Sequence, residues 1–286
     1  KIDILHTIGG DDTNTSAGDL VKYLKNNNYN FTVVGLPKTV DNDVYPIKQT
    51  LGASTAANQG AVFFNNIVNE NTTSSRQLII HEVMGRNCGW LTAATAFEYR
   101  KILNKKEFIP ELLIDKHKWD IHAIYLPEKE INFDLECNRL NKIMDKHDCV
   151  NIFLSEGAGL KAIIAEMKSN NEEIKYDAFG HVRLDEINPG LWFAKNLKQK
   201  LNAHKVLVQK SGYFARSAAP ISKDIDLIKK TAIFAVKSAL KSISGVVALD
   251  EDKNNQMECI EFERIKGGKP FDINLNWYKD MLNEIE

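Results

Sequence analysis

The feature that most restricts the fold is an alternation, along the whole chain, of short apolar runs with longer stretches of helical period. The runs lie at 2–8, 31–35, 77–81, 122–126, 150–154, 205–209 and 245–249, and each has the length of a strand rather than a helix. Candidate helices fall between them at 16–26, 54–70, 89–97, 135–145, 160–168, 190–201 and 222–238. In the second of these, Ala57, Ala61, Phe64 and Val68 recur at spacings of three and four, an apolar stripe that must lie against another element. Strand–helix alternation predicts parallel sheets, because parallel neighbours need a crossover and a helix supplies it. The 286 residues are about twice a common domain. The expected fold is therefore α/β, with two Rossmann-like lobes of mainly parallel sheet, helices on both faces and a cleft between them.

Charge and cysteine content narrow the function classes. Lys and Arg number 37 against 38 Asp and Glu, so no net basic field attracts nucleic acid or anionic lipid. The longest apolar stretches, such as 150–154 and 245–249, are far too short for a bilayer, so no membrane partner is expected. Cys88, Cys137, Cys149 and Cys259 are scattered without any Cys-x-x-Cys pair, which argues against a disulfide framework or structural zinc and fits a reducing, cytoplasmic setting. The first residues carry neither an initiator Met nor a basic and apolar leader; they read as a strand entered in mid-protein, so a preceding segment is expected.

Polar turns follow successive strands. Gly9-Gly10-Asp11-Asp12-Thr13-Asn14-Thr15 stands between a strand and a helix, where glycines let the backbone approach a ligand and a helix N-terminus offers N–H groups to an anion. Two carboxylates would repel a bare phosphate, and a divalent cation held by Asp11 resolves that conflict, since Mg²⁺ takes one or two carboxylates plus substrate phosphates. The same residues also suit a plain βα turn that caps a helix. Pro37-Lys38-Thr39-Val40-Asp41-Asn42-Asp43 combines a cation, a hydroxyl and two carboxylates, the set a phosphoryl transfer needs, although an Asx-rich turn has the same composition. In Glu82-Val83-Met84-Gly85-Arg86, Gly85 permits close approach and Arg86 suits a phosphate or carboxylate. Ser155-Glu156-Gly157 and Gly212-Tyr213-Phe214-Ala215-Arg216 complete the series. Here Glu156 could accept from sugar hydroxyls, and Tyr213 and Arg216 could hold a phosphate.

In order and spacing these motifs, with Lys266-Gly267-Gly268-Lys269-Pro270-Phe271 near the end, resemble the phosphofructokinases over essentially the whole chain, and among them the pyrophosphate-dependent branch. The resemblance implies reversible transfer of a phosphoryl group from pyrophosphate to the 1-hydroxyl of fructose 6-phosphate, with Mg²⁺. It puts Asp11 on the metal, Asp41 as the base for the sugar hydroxyl, Thr39 at the transferring phosphate and Asp43 beside the base. It further puts Met84, Gly85 and Arg86 on the sugar phosphate, Glu156 on the sugar ring and Tyr213 with Arg216 on the 6-phosphate. Arg76 and Lys205 would reach that phosphate from a neighbouring subunit, which implies a homodimer or homotetramer with shared sites. Residues 1–52 with 217–265 would form the pyrophosphate and metal lobe, and 53–216 with 266–286 the sugar-phosphate lobe. Family members begin with a further half-lobe carrying a Gly-rich phosphate loop.

Gly10, Asp12 and Lys38 would form the donor site. ATP-using relatives carry Gly where this chain has Asp12 and Lys38, and a carboxylate at the first position would meet the nucleotide's α-phosphate. Two unit charges ~4 Å apart at an effective dielectric of ~20 repel by about 4 kcal/mol, roughly a thousandfold against ATP. Lys38 supplies the compensating charge that a short polyanion needs, so one pair both admits and excludes. The rival readings are an ATP-dependent phosphofructokinase, a catalytically silent subunit or fragment, and a metabolite-binding module. Asp11, Asp41 and Arg86 are all present, and a silent subunit is expected to have lost at least one of them.

Overall fold

The computed structural model describes residues 2–112, 114–176 and 182–285. Its elements run β1 (Ile4–Gly9), α1 (Asp11–Asn26), β2 (Thr32–Pro37), α2 (Ala53–Ile67), β3 (Gln77–Val83), α3 (Trp90–Leu103), β4 (Ala123–Tyr125), α4 (Phe133–His147) and β5 (Cys149–Ser155). They continue α5 (Leu160–Ser169), α6 (Leu184–Ile187), α7 (Pro189–Lys200), β6 (Lys205–Lys210), α8 (Gly212–Arg216), α9 (Ser222–Leu240), β7 (Gly245–Asp250), β8 (Gln256–Ile260) and α10 (Asn276–Asn283). They divide into two compact units. Residues up to Ala56 join Arg216–Pro270 in the first, and Ala57–Ala215 join the residues from Phe271 onward in the second. The first unit thus ends its second segment at Pro270, so 266–270, expected with the other lobe, belong here.

The first unit holds a four-stranded sheet in the order β1-β2-β7-β8. β1, β2 and β7 are parallel and β8 is antiparallel to β7. Every residue of β2 is buried, whereas β1, at the sheet edge, alternates between exposed and half-buried. One core layer joins Val34, Leu36 and Val247 to Ala235 and Ala239 of α9. A second joins Val246, Ala248 and Ile260 to Val44 and Ile47 of the segment after β2. That second layer matters for function, because it anchors the loop that carries Asp41 and Asp43. Each such apolar side chain stabilises by about 1.5–3 kcal/mol when fully buried.

The second unit holds a wholly parallel sheet in the order β4-β5-β3-β6. β3 and β5, central and covered on both faces, are buried at every residue, as near-continuous apolar runs in parallel sheets require. Leu78, Ile80, Ile152 and Leu154 pack with Phe193 and Leu197 of α7. On the opposite face His81 lies among Phe64, Phe153 and Phe63.

The sequence reading and the structure differ at α1, β8 and α10, and in the short helices α6 and α8, which were not expected. α1 begins at Asp11 rather than at residue 16, so the two carboxylates belong to its first turn instead of a preceding loop. β8 lay outside the expected strands; mostly half-buried along its length, it suits an edge strand rather than a buried run. α10 was also unforeseen and is short, with Tyr278 and Met281 buried.

Candidate active site

In the first unit the site is set by neighbouring strand ends. Gly9 of β1 pairs with Pro37 of β2, and the Lys38 amide donates to the Gly9 carbonyl at 2.7 Å. The Gly-Gly-Asp-Asp and Pro-Lys-Thr motifs therefore leave the sheet side by side. Asp11 and Asp12 occupy the first turn of α1, where the helix dipole favours negative charge. No side chain caps this helix at Gly10; Asn14 folds back instead, its Nδ2 donating to the Gly10 carbonyl at 2.7 Å. Asp12 and Lys38 are exposed, and Asp11 is half-buried.

The loop after β2 is braced from inside. Asn42 is buried with a left-handed φ of 55°, a conformation that Asn tolerates better than most residues. Its Oδ1 accepts from the Thr50 amide at 2.8 Å and from Thr50 Oγ1 at 3.2 Å, while Nδ2 donates to the Lys48 carbonyl. Thr50 Oγ1 also donates to the Thr39 carbonyl at 2.8 Å. Asp41 and Asp43 flank this brace. Thr39 Oγ1 accepts from the Asp41 backbone amide at 3.2 Å and hydrogen-bonds the Asp43 carboxylate, which ties the hydroxyl to both residues. Burial raises the Asp43 carboxyl above the usual range, and the nearby charge of Asp11 raises it further; Lys269 and Thr39 act in the opposite direction. Asp11 and Asp43 thus lie within electrostatic reach of one another in partly dry surroundings.

The second unit brings its predicted residues to one sheet edge as well. β3 and β5 end in register, Val83 opposite Ser155, so Met84-Gly85-Arg86 and Glu156 emerge together. Gly85 has a φ of 131° and its Cα faces the Cys88 carbonyl so closely that a Cβ would collide with it. Ser155 Oγ donates to the Gly85 carbonyl at 2.6 Å, and the Gly85 amide donates to Glu156 Oε1 at 3.2 Å. Burial pushes the Glu156 carboxyl up; the Gly85 amide lowers it, Glu82 raises it, and Arg86 and Lys210 lower it again. At the end of β6, Gly212 lies against the Met84 thioether. Tyr213 and Arg216 follow on α8, both exposed, with the unit boundary just before Arg216.

Arg76 and Lys205 do not join this cluster. They stand at the N-terminal ends of β3 and β6, the opposite edge of the sheet. Arg76 is tied within its own chain to Asp145 at 2.7 Å and to the carbonyls of Asn202 and Leu201; Lys205 is tied to Glu70 at 3.0 Å and to Thr73. Sequence reasoning in turn missed two residues that do stand here. Glu82 of β3 is buried, accepts from the Gly190 amide at 2.9 Å and pairs with Lys210 of β6 at 2.8 Å. A charged residue next to the apolar run of each strand was the available signal.

Among the described residues no group of three or more His, Cys, Asp or Glu side chains is placed to hold a metal ion, and no helix is long and apolar enough to cross a membrane.

The phosphofructokinase family profile matches residues 1–239, and the chain belongs to that family. Within it, the chain is 58% identical over 284 residues to the pyrophosphate–fructose 6-phosphate 1-phosphotransferase of Methylomonas methanica, covering 99% of this chain and 69% of that protein. It is 52% identical to the protein of the same name from Propionibacterium freudenreichii, over 99% of this chain and 70% of that one. The ATP-dependent 6-phosphofructokinase of Persephonella marina is 28% identical, over 96% of this chain and 70% of that one. Among solved structures, a pyrophosphate-dependent phosphofructokinase from Marinobacter aquaeolei aligns with a TM-score of 0.67 over 99% of this chain and 67% of that chain at 22% identity, a likeness of fold.

Proposed function

We propose that the protein transfers a phosphoryl group from pyrophosphate to the 1-hydroxyl of fructose 6-phosphate, reversibly, giving fructose 1,6-bisphosphate. The observation that carries this reading is the placement of Asp12, in the first turn of the helix after β1, and Lys38, directly after the paired strand β2, in a chain more than half identical to relatives bearing that activity's name. Both side chains are exposed, so their effect on donor choice lies between about 1 and 4 kcal/mol, the range from water-like to surface-like screening at ~4 Å.

In this reading Asp41 accepts the proton of the sugar 1-hydroxyl as its oxygen bonds to the terminal phosphorus, and the bond from phosphorus to the departing phosphate breaks. Lys38 neutralises charge on that departing phosphate. Thr39 Oγ1, tied to the Asp41 amide and to Asp43, orients the transferring group. Arg86, Tyr213 and Arg216 hold the sugar phosphate, and Glu156, fixed by the Gly85 amide, accepts from ring hydroxyls. A carboxylate is a weak base for an alcohol, so positioning and charge neutralisation supply most of the acceleration.

Asp11 is the residue proposed to hold Mg²⁺, with Asp43 beside it. The fit rests on Asp11 in the first turn of α1, whose charge adds to burial in raising the Asp43 carboxyl, a repulsion that a divalent cation relieves. When bound, Mg²⁺ would neutralise phosphate charge developing during transfer. A reducing, cytoplasmic setting suits the scattered cysteines. A homodimer or homotetramer with shared sites is proposed, in which Arg76 and Lys205, paired in this chain with Asp145 and Glu70, would reach a neighbouring subunit's sugar phosphate.

The purified protein should form fructose 1,6-bisphosphate from fructose 6-phosphate with pyrophosphate and release pyrophosphate in the reverse direction with inorganic phosphate. Turnover with ATP and none with pyrophosphate would favour the ATP-dependent reading instead.

A further inference from the structure

The motif at 266–270 has no role in the reaction just described, yet it meets both acidic clusters. Gly267 is exposed, but its Cα packs directly on Asp11: an added Cβ would overlap Asp11 Oδ2 and stand 2.7 Å from its Cβ and 3.0 Å from its Cγ. The same loop is stitched to the loop after β2. Lys266 and Tyr45 exchange backbone hydrogen bonds at 2.8 and 3.0 Å, and the Lys269 amide donates to the Asp43 carbonyl at 2.8 Å. Lys269 Nζ donates to the Ile47 carbonyl at 2.7 Å and pairs with Glu251 at 3.0 Å. Gly268, at a φ of 72°, turns the chain between these anchors and faces open space.

We infer that residues 266–270 are a positioning latch: Gly267 seats the Asp11 carboxylate and Lys269 fixes the Asp43 backbone, so this loop sets the spacing of the two acids before a cation arrives. The inference rests on the reading of Asp11 as the metal residue. Two carboxylates left free would rotate apart, and drawing them together would then cost affinity; a seat that forbids other rotamers removes that cost. Residues that hold a ligand side chain in place typically change metal affinity by about 10–100-fold when altered.

The test is Mn²⁺ binding to the full protein without substrates, read by electron paramagnetic resonance of the free ion, with circular dichroism and thermal melting alongside. Gly267→Ala should weaken Mn²⁺ binding by about tenfold or more while the melting temperature holds. Lys269→Met keeps the amide bond to Asp43 but removes the Nζ bonds to the Ile47 carbonyl and Glu251 that hold the loop down; it should weaken binding in the same direction and keeps the test available if Gly267→Ala does not fold. Gly268→Ala strains the loop without touching Asp11 and should weaken binding less than Gly267→Ala. Asp11→Asn separates the two claims. If it leaves Mn²⁺ affinity unchanged, the metal assignment is wrong; if it abolishes binding while Gly267→Ala and Lys269→Met bind like the wild type, the assignment stands and the latch is wrong.

Discussion

The chemistry is carried by side chains at strand ends, where a parallel sheet presents the first residues of its crossovers. Asp41 is the base in the proposed reaction, held through its amide by Thr39 Oγ1. Asp41→Asn keeps the shape and the hydrogen-bonding reach but not the basicity. It should lower kcat by about 10²–10⁴-fold with KM for fructose 6-phosphate nearly unchanged; near-normal kcat in steady-state assays would remove Asp41 from the mechanism. Most of these residues were legible in the sequence because they follow apolar runs immediately: Asp11 and Lys38 come within two residues of a strand. Glu82 and Lys210 were not, because they are far apart in sequence and only the sheet register makes them neighbours.

At the scale of elements, two features invite measurement. The loop from Thr39 to Thr50 depends on Asn42, whose side chain meets Thr50 twice and whose backbone is left-handed. Asn42→Ala leaves the Thr50 amide buried without its acceptor and puts Ala in an unfavourable conformation, a loss of roughly 2–4 kcal/mol. The urea midpoint should fall accordingly and kcat with it, while a variant of wild-type stability would show that the brace is dispensable. In β3, burial among aromatic rings pushes His81 down to about 3. Between pH 6.5 and about 3 the unfolded chain therefore takes up a proton that the folded chain refuses, and stability falls by ~1.4 kcal/mol per pH unit. Above pH 6.5 the contribution is fully present. His81→Leu should flatten this dependence in denaturation midpoints taken at pH 7.5 and pH 5; parallel losses in both proteins would assign the acid sensitivity elsewhere. The sequence showed the buried parallel strands because their runs are uninterrupted. It concealed β8, whose Gln256, Glu258 and Cys259 break any run, and the early start of α1, because two acids after two glycines look like a loop until the dipole of the helix behind them is considered.

At the scale of the molecule, the segments that complete each unit come from far along the chain. The first unit takes Arg216–Pro270 and the second takes the residues from Phe271 onward, and no local pattern announces either return. The Lys266–Tyr45 and Lys269–Asp43 pairings span more than two hundred residues, so they were invisible to any reading of local composition. Family likeness located the motif at 266–270, whereas only coordinates showed what it touches. Donor choice is likewise a property of the assembled reaction, and it rests here on one acidic and one basic residue that follow adjoining strands. The measurement that tests this most directly is the ratio of kcat/KM for pyrophosphate to that for ATP, taken on the wild type and on the Asp12→Gly, Lys38→Gly double variant. The wild type should strongly prefer pyrophosphate, and the double variant should shift the ratio toward ATP by about fivefold to a thousandfold, the span set by ~1–4 kcal/mol. An unchanged ratio would contradict the account and place donor selection in other residues.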